Sequence, residues 1–393
     1  MKEGPALPQE LSDLIVDHLF DDLETLRSCA LVSSSFLPWS RAHIFSHLRI
    51  GPIDPEQSIR ELHELLRKLP SLANRVESLH LWDNTMRPRS WIEEYPDSSV
   101  PSVAQLSNLL VSLARLSITI ESSFVHWANI SSTLRSSIRF MVALQTLTSL
   151  QLTGLYGLPF TLLAHCPALR SVTLKWVTFD ERDNLDFAKT LAACAGSPPT
   201  QLEDLSIDLD TRVLGLLARW ILLPQSPIDI TRLRSLSCTV DGRFDHLAIQ
   251  RLLNACAPSL QRLRLKNVAG TLDLRNLAQL HTLCLEVAPP LESRVVWFMD
   301  NIVFPPPQQA LGLVLRVATP SAVQLVWADR ALALFPCITS VTAIFETIDE
   351  EARERDLVDV SGAFVHRMPS VANRLAGRGP LRVLRSPRCS LEA

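Results

Sequence analysis

An apolar-x-x-apolar-x-apolar pattern recurs along most of the chain. VESLHL (76–81), LARLSI (113–118), LTSLQL (147–152), LRSVTL (169–174), LEDLSI (202–207), LRSLSC (233–238), LQRLRL (260–265) and LHTLCL (280–285) carry it in full. ALGLVL (310–315), ITSVTA (338–343) and LRVL (381–384) are weaker copies. Successive strong copies start 20 to 37 residues apart. The closing alternation, as in Leu79 and Leu81 or Leu263 and Leu265, has the period of two of a short strand with one buried face. Segments with helical spacing lie between copies: LDFAKTLAACAG after Asp183, RVLGLLARWILL from Arg212 and HLAIQRLLNACAP from His246. Strand, helix, strand at these lengths predicts crossover connections and a parallel sheet, an α/β fold.

The period brackets and exceeds that of leucine-rich repeats, which predicts an irregular leucine-rich-repeat-like solenoid over residues 51–393. The Asn or Cys expected after each strand is in register only at Asn84; the equivalent positions hold Leu155, Val177, Asp210, Asp241, Val268 and Ala288. Some segments do not repeat. Residues 82–101, with Pro88, Pro96 and Pro101, read as a long loop, and 127–141 as an amphipathic helix. FPPPQQ (304–309) reads as an extended connector, DEEARERD (349–356) as a solvated helix face, and 385–393 as a frayed end. The apolar run 213–223, broken by Arg219, reads as a buried helix.

Residues 1–50 are organised differently. Pro8 suits the first turn of a helix, and Leu11, Ile15 and Leu19 follow on one stripe, with Leu14 and His18 beside it. Asp21 and Glu24 form a candidate capping box for a second helix carrying Leu23, Leu26, Ala30 and Leu31. Ser33 or Ser34 is placed to cap a third, holding Phe36, Trp39 and Phe45, with Pro38 near its start. Three short helices enclose little core, so apolar side chains should stay outside. Such a segment either caps the repeats behind it or presents a partner surface.

The order LP-x-EL, I-x-x-x-L, a D-L step, LV-x-x-x-F and a late Phe, over residues 6–49, resembles the F-box, especially the compact F-box of large fungal F-box families. Irregular leucine-rich-like repeats commonly follow that module. The resemblance implies docking on the Skp adaptor subunit of a Skp–cullin–F-box ubiquitin ligase, and through it to a cullin. Leu7, Pro8, Leu11, Ile15, Leu19, Leu26, Val32 and Phe36 stand at the matching positions. Where many members read LVC-x-x-W, this chain reads LVSSSF, with Ser33 for Cys and Phe36 for Trp, and a smaller aromatic anchor weakens adaptor affinity. The role implied is a non-catalytic adaptor that brings a protein target to the ligase. The alternative is a solenoid scaffold acting outside ubiquitination.

Composition narrows the rest. Apolar residues make up 47% and charged residues 20% of 393, as in folded proteins, and the formal net charge of −3 gives no overall field toward nucleic acid or an anionic membrane. No apolar signal core opens the sequence and no run approaches a membrane span. Eight scattered cysteines without a C-x-x-C pair fit a reducing compartment, cytoplasm or nucleus, and neither a metal nor a cofactor is expected. HELLR at His63 lacks the second histidine of a zinc helix, and reads as the exposed face of a helix capped by Ser58 with Glu61. Nucleophile elbows and phosphate loops are missing. Cys166, Cys256 and Cys337 each precede a repeat strand, where a structural role explains them. Target contacts are expected at the outward strand positions His80, Gln151, Thr173, Ser206 and Arg264, with Ser237 and Cys284, and at Trp82 and Trp176 past the strand ends.

Overall fold

In a computed structural model of the chain, the described residues are 8–20, 22–84, 90–94, 103–121, 124–180, 198–239, 245–266, 271–287, 302–303, 311–317, 337–345 and 381–385. They form a mixed α/β fold of parallel strands and helices, divided into two compact units, residues 1–169 with 177–186, and residues 170–176 with 187–393.

The first unit opens with α1 (Gln9–Asp17), α2 (Leu23–Val32) and α3 (Leu37–Ser46). Pro8 sits at the N-cap of α1. Asp22 caps α2 by accepting from the Thr25 amide at 3.0 Å and from its hydroxyl at 2.6 Å, so the cap lies one residue after the expected Asp21. No side chain caps α3; Ser33 Oγ instead accepts from the Ser35 amide in the α2–α3 turn, and Pro38 occupies the first turn of α3 as expected. The small core of this trio holds Val16, Leu26 and Ser40. Gln9 donates to the Ser35 carbonyl at 2.8 Å, and His43 Nε2 lies 2.7 Å from Asp17 Oδ1, which ties α1 to the other two helices.

From α3 the chain passes without a linker into β1 (His47–Ile50). Helix α4 (Pro55–Lys68) starts earlier than expected: Asp54, not Ser58, is the cap, accepting from the Gln57 amide at 3.1 Å, with Pro55 in the first turn. Glu56 near its start and Arg67 and Lys68 at its end match the helix dipole. After α5 (Pro70–Ala73) come β2 (Ser78–Asp83), α6 (Trp91–Glu94), α7 (Val103–Ser107), β3 (Arg115–Ile120), β4 (Val125–His126), α8 (Ser132–Val142), β5 (Ser149–Thr153), β6 (Leu155–Tyr156) and α9 (Thr161–Ala164). β1 pairs with β2, β2 with β3, and β3 with β5, all parallel; β4 pairs with β6. The expected loop after β2 therefore contains a short helix, whose Trp91 and Ile92 are buried.

The second unit contains β7 (Ser171–Lys175), β8 (Thr200–Gln201), β9 (Asp204–Asp208), α10 (Thr211–Ile221), β10 (Ile228–Asp229), β11 (Ser235–Thr239), α11 (Asp245–Cys256) and β12 (Arg262–Lys266). It continues with β13 (Leu272–Asp273), β14 (Thr282–Val287), β15 (Ile302–Val303), β16 (Leu311–Val317), β17 (Ile338–Phe345) and β18 (Leu381–Arg385). The parallel order is β7-β9-β11-β12-β14-β16-β17-β18, with two-stranded pairs β8–β10 and β13–β15. Asp210 caps α10, which buries Val213, Leu214, Leu217, Ala218, Trp220 and Ile221 as the sequence predicts. The expected helix after Asp183, the connector 304–309 and the charge run 349–356 lie outside the described residues, as does 386–393.

Every repeat copy is a strand in this fold, and its spacing has a direct physical reading. In the eight strong copies, the first, fourth and sixth positions are all at most 3% exposed. The fourth and sixth alternate on one face of the strand, and the first closes the turn that feeds it. In register these residues stack as Leu48–Leu79–Leu116–Leu150 in the first unit and Val172–Leu205–Leu236–Leu263–Leu283–Leu313 in the second. Burying such a side chain stabilises by about 1.5–3 kcal/mol, and each one depends on its neighbour's row for cover.

Candidate functional site

Helices α1 and α2 leave their larger apolar side chains outside the core. Leu11 is 48% exposed, Ile15 46%, Leu31 88% and Val32 77%; Leu14, Phe20 and Leu23 are exposed as well. The buried face of α1 is Ser12 and Val16, so the stripe read from the sequence is the solvent face. Pro8 is exposed, Leu19 and Phe36 are half-buried, and Leu7 lies outside the described residues. Leu26 is 1% exposed and belongs to the core of the trio, which removes it from any contact surface.

The outward strand positions form polar rows within each unit. In the first, Arg49, His80, Ser117 and Gln151 are in register, followed by Trp82, Thr119 and Thr153. His80 Nε2 lies 3.1 Å from Thr119 Oγ1. Burial and then the nearby Arg49 charge push the His80 pKa down to about 4, so the ring is neutral at physiological pH. Arg49 stacks 3.7 Å above the Trp82 ring centroid, and the Trp82 carbonyl accepts from Trp91 Nε1 at 2.9 Å. Trp82 thus lies within β2, half-buried and covered on one face, instead of projecting past the strand end.

In the second unit Thr173, Ser206, Ser237, Arg264 and Cys284 are in register, and all are half-buried. Glu286 accepts hydrogen bonds from Arg264 and lies 3.2 Å from Lys266 Nζ. Burial on its own raises the Glu286 pKa, but the hydrogen bonds and charges of Arg264 and Lys266 outweigh it and hold the carboxyl below its ordinary value. Trp176 is 51% exposed and has φ 49, a left-handed conformation that disfavours a bulky residue. Its amide donates to the Asp208 carbonyl at 2.7 Å, a bond that holds this conformation at the end of β7.

Arg49, Thr119 and Glu286 were not among the residues marked by the sequence. Arg49 was concealed because HLRI follows directly on a helical pattern, and Glu286 because ion pairing between strands leaves no local signal. Asn84, the expected ladder residue, is exposed. The buried polar side chain is Asp83, one position earlier, whose Oδ2 accepts from Ser90 Oγ at 2.6 Å and from the Trp91 amide at 2.9 Å.

Burial raises the Cys166 and Cys256 thiols to about 12, the reverse of what a nucleophile requires. A cavity of about 310 Å³ joins Arg139, Thr161 and His165 to an apolar wall of Val142, Ala143 and Leu162. His165 Nδ1 is committed to the Thr161 carbonyl, and among the described residues no carboxylate or thiol lines this cavity. Among the described residues no group of three or more His, Cys, Asp or Glu side chains is arranged to hold a metal, and no helix is long and apolar enough to cross a membrane. No protein-family model and no curated protein matches the sequence.

Proposed function

We propose that this chain is the substrate-recruiting F-box subunit of a Skp–cullin–F-box ubiquitin ligase. The three N-terminal helices are the F-box that docks on the Skp adaptor, and the strands that follow form a leucine-rich-repeat-like solenoid that binds a protein target. The observation that carries this reading is the outward stripe on α1 and α2, where Leu11, Ile15, Leu31 and Val32 stay in water while Ser12 is buried. A trio free to arrange its own core would bury leucine before serine, so the exposed set is reserved for a partner. The polar strand rows fit a protein ligand: they offer hydroxyls, an amide and a neutral imidazole at regular strand spacing, and the ionisable groups that converge there, Arg264, Lys266 and Glu286, are engaged with one another.

The test is capture of the purified Skp adaptor by the full chain, with Leu11→Asp and Val32→Asp as variants. Both residues are exposed, so both variants fold. Each replaces an apolar contact by a charge that binding would desolvate, and affinity should drop more than about tenfold. Unaltered binding by both variants, or no binding by the folded wild-type chain, refutes the adaptor role.

A second reading has support from β1. Because α3 runs without a linker into β1, which pairs with β2, the helical segment is continuous with the sheet, which suits a non-catalytic scaffold acting outside ubiquitination. Absence of adaptor binding by the folded chain selects that reading.

A further inference from the structure

A cavity of about 370 Å³ opens between α3 and α5 in the first unit. Its walls carry Leu37, Pro38 and Leu69, and its polar groups include Arg41 and Arg75. Both arginines are exposed. Arg75 is not loose, for its guanidinium carbon sits 5.1 Å from the centroid of the Trp39 ring, which also lines the cavity. Stacking of this kind holds a guanidinium in place while its N–H groups stay available to an acceptor. Among the described residues neither arginine forms an ion pair and no carboxylate lines the cavity. Helix α4 ends on Arg67 and Lys68, immediately before Leu69; Lys68 is paired with Glu64 at 3.8 Å, so Arg67 supplies the added positive charge.

We propose that this cavity binds a short acidic peptide segment of a partner protein, with carboxylates on Arg41 and Arg75 and an apolar side chain between them against Leu37, Pro38 and Leu69. Charge complementarity selects the occupant. Two forked guanidinium groups on the rim match carboxylates in bidentate geometry. The apolar wall between them gives a bare inorganic anion nothing to contact. The volume takes a segment and excludes a folded surface. This site is independent of the adaptor reading, since it lies on α3 and α5 and the peptide alone is its probe.

Fluorescence anisotropy of a fluorescein-labelled octapeptide of alternating glutamate and leucine, titrated with the full chain, tests the site. A peptide with glutamine for glutamate is the control. The glutamate peptide should bind, and Arg41→Ala and Arg75→Ala should each weaken it about tenfold because each removes one charge-assisted hydrogen-bond pair, while the glutamine replacement, which removes both, should weaken it about a hundredfold. Arg139→Ala, in a different cavity, should leave binding unchanged. Peptide binding should also shift tryptophan emission in the wild type and do so less in Trp39→Phe. Circular dichroism confirms folding, and Arg75→Gln stands in if the alanine variant is unstable. The proposal is overturned by equal binding of the two peptides, by indifference to Arg75→Ala, or by no binding to the wild type. Displacement of the peptide by equimolar inorganic phosphate overturns it too, since that marks a simple anion site.

Discussion

Asp83 is the buried polar group that holds the start of α6 to β2, and its removal has a calculable consequence. Its side chain is fully buried, Ser90 is 1% exposed and Trp91 is 5% exposed, so water does not replace a lost partner unless α6 moves away from β2. Both the Ser90 hydroxyl and the Trp91 amide donate to Oδ2. Asp83→Ala strands two buried donors, each costing about 1–3 kcal/mol, for a total near 4 kcal/mol. Asp83→Asn should behave differently, because one amide oxygen in the place of Oδ2 still accepts both bonds; its cost is about 1 kcal/mol. Ser90→Ala removes one donor to Asp83 and also the acceptor of the Ile92 amide, which places it between the two at about 1–2 kcal/mol. Urea unfolding followed by tryptophan emission gives the ranking, and hydrogen exchange at the Trp91 amide localises it. A loss under about 1 kcal/mol for Asp83→Ala, or an Asn variant as unstable as the Ala variant, refutes the reasoning.

Three further outcomes follow from single sites. Because the Glu286 carboxyl titrates below its ordinary 4.5 when folded, its contribution is present above that pH and is lost as the pH falls through the folded value; the gap in urea stability between wild type and Glu286→Gln should shrink between pH 6 and pH 3, and a constant gap contradicts this. Gly154 has φ 74, and a Cβ there would lie 2.2 Å from the Ile120 carbonyl oxygen, so Gly154→Ala should cost about 2–4 kcal/mol and lower the thermal midpoint, whereas an unchanged midpoint removes the argument. In the folded chain at pH 8, iodoacetamide should label half-buried Cys29 well before Cys166 and Cys256, as read by peptide mass spectrometry; early labelling of Cys166 contradicts the burial that raises its thiol.

The repeat strands were legible because two constraints coincide in a few residues. The period of two marks the buried face, and the leucine three places before it marks the turn, so Leu147, Leu150 and Leu152 announce β5 without knowledge of its partners. β1 was hidden because His47–Ile50 contributes two apolar positions and no preceding turn leucine, having a helix in front of it instead. The pairs β4–β6, β8–β10 and β13–β15 involve two residues per strand, too few for any period. Helix caps were misplaced by one to four residues for a common reason. Asp22 rather than Asp21, and Asp54 rather than Ser58, are chosen by which side chain reaches an amide three residues on, and composition alone does not resolve that choice. On α1 the sequence established the apolar stripe but not its direction. The direction depends on α3, whose small buried Ser40 belongs to the same core as Ser12 and Val16 while Leu11 and Ile15 face out.

The distribution of charge separates the surfaces by the kind of recognition each supports. In the first unit's polar row, His80 is kept neutral and Arg49 is stacked on Trp82. In the second unit's, Glu286 pairs with both Arg264 and Lys266 and offsets one of their two charges. These rows therefore discriminate mainly through hydrogen bonding and shape, and a ligand that reads them should depend less on salt than one held by unpaired charge. On α1 and α2 the exposed apolar side chains Leu11, Ile15, Leu31 and Val32 stand among exposed Glu10, Asp17, Glu24 and Arg27, so binding there combines apolar area with a smaller, screened charge contribution. Arg41 and Arg75 differ from both: they carry unpaired charge among the described residues, beside an apolar wall. Raising salt from 50 mM to 500 mM should thus weaken the acidic peptide several-fold and adaptor capture by less. If adaptor capture falls in parallel with peptide binding, the adaptor is held by Arg41 and Arg75 and the outward leucines of α1 and α2 are not its contact surface.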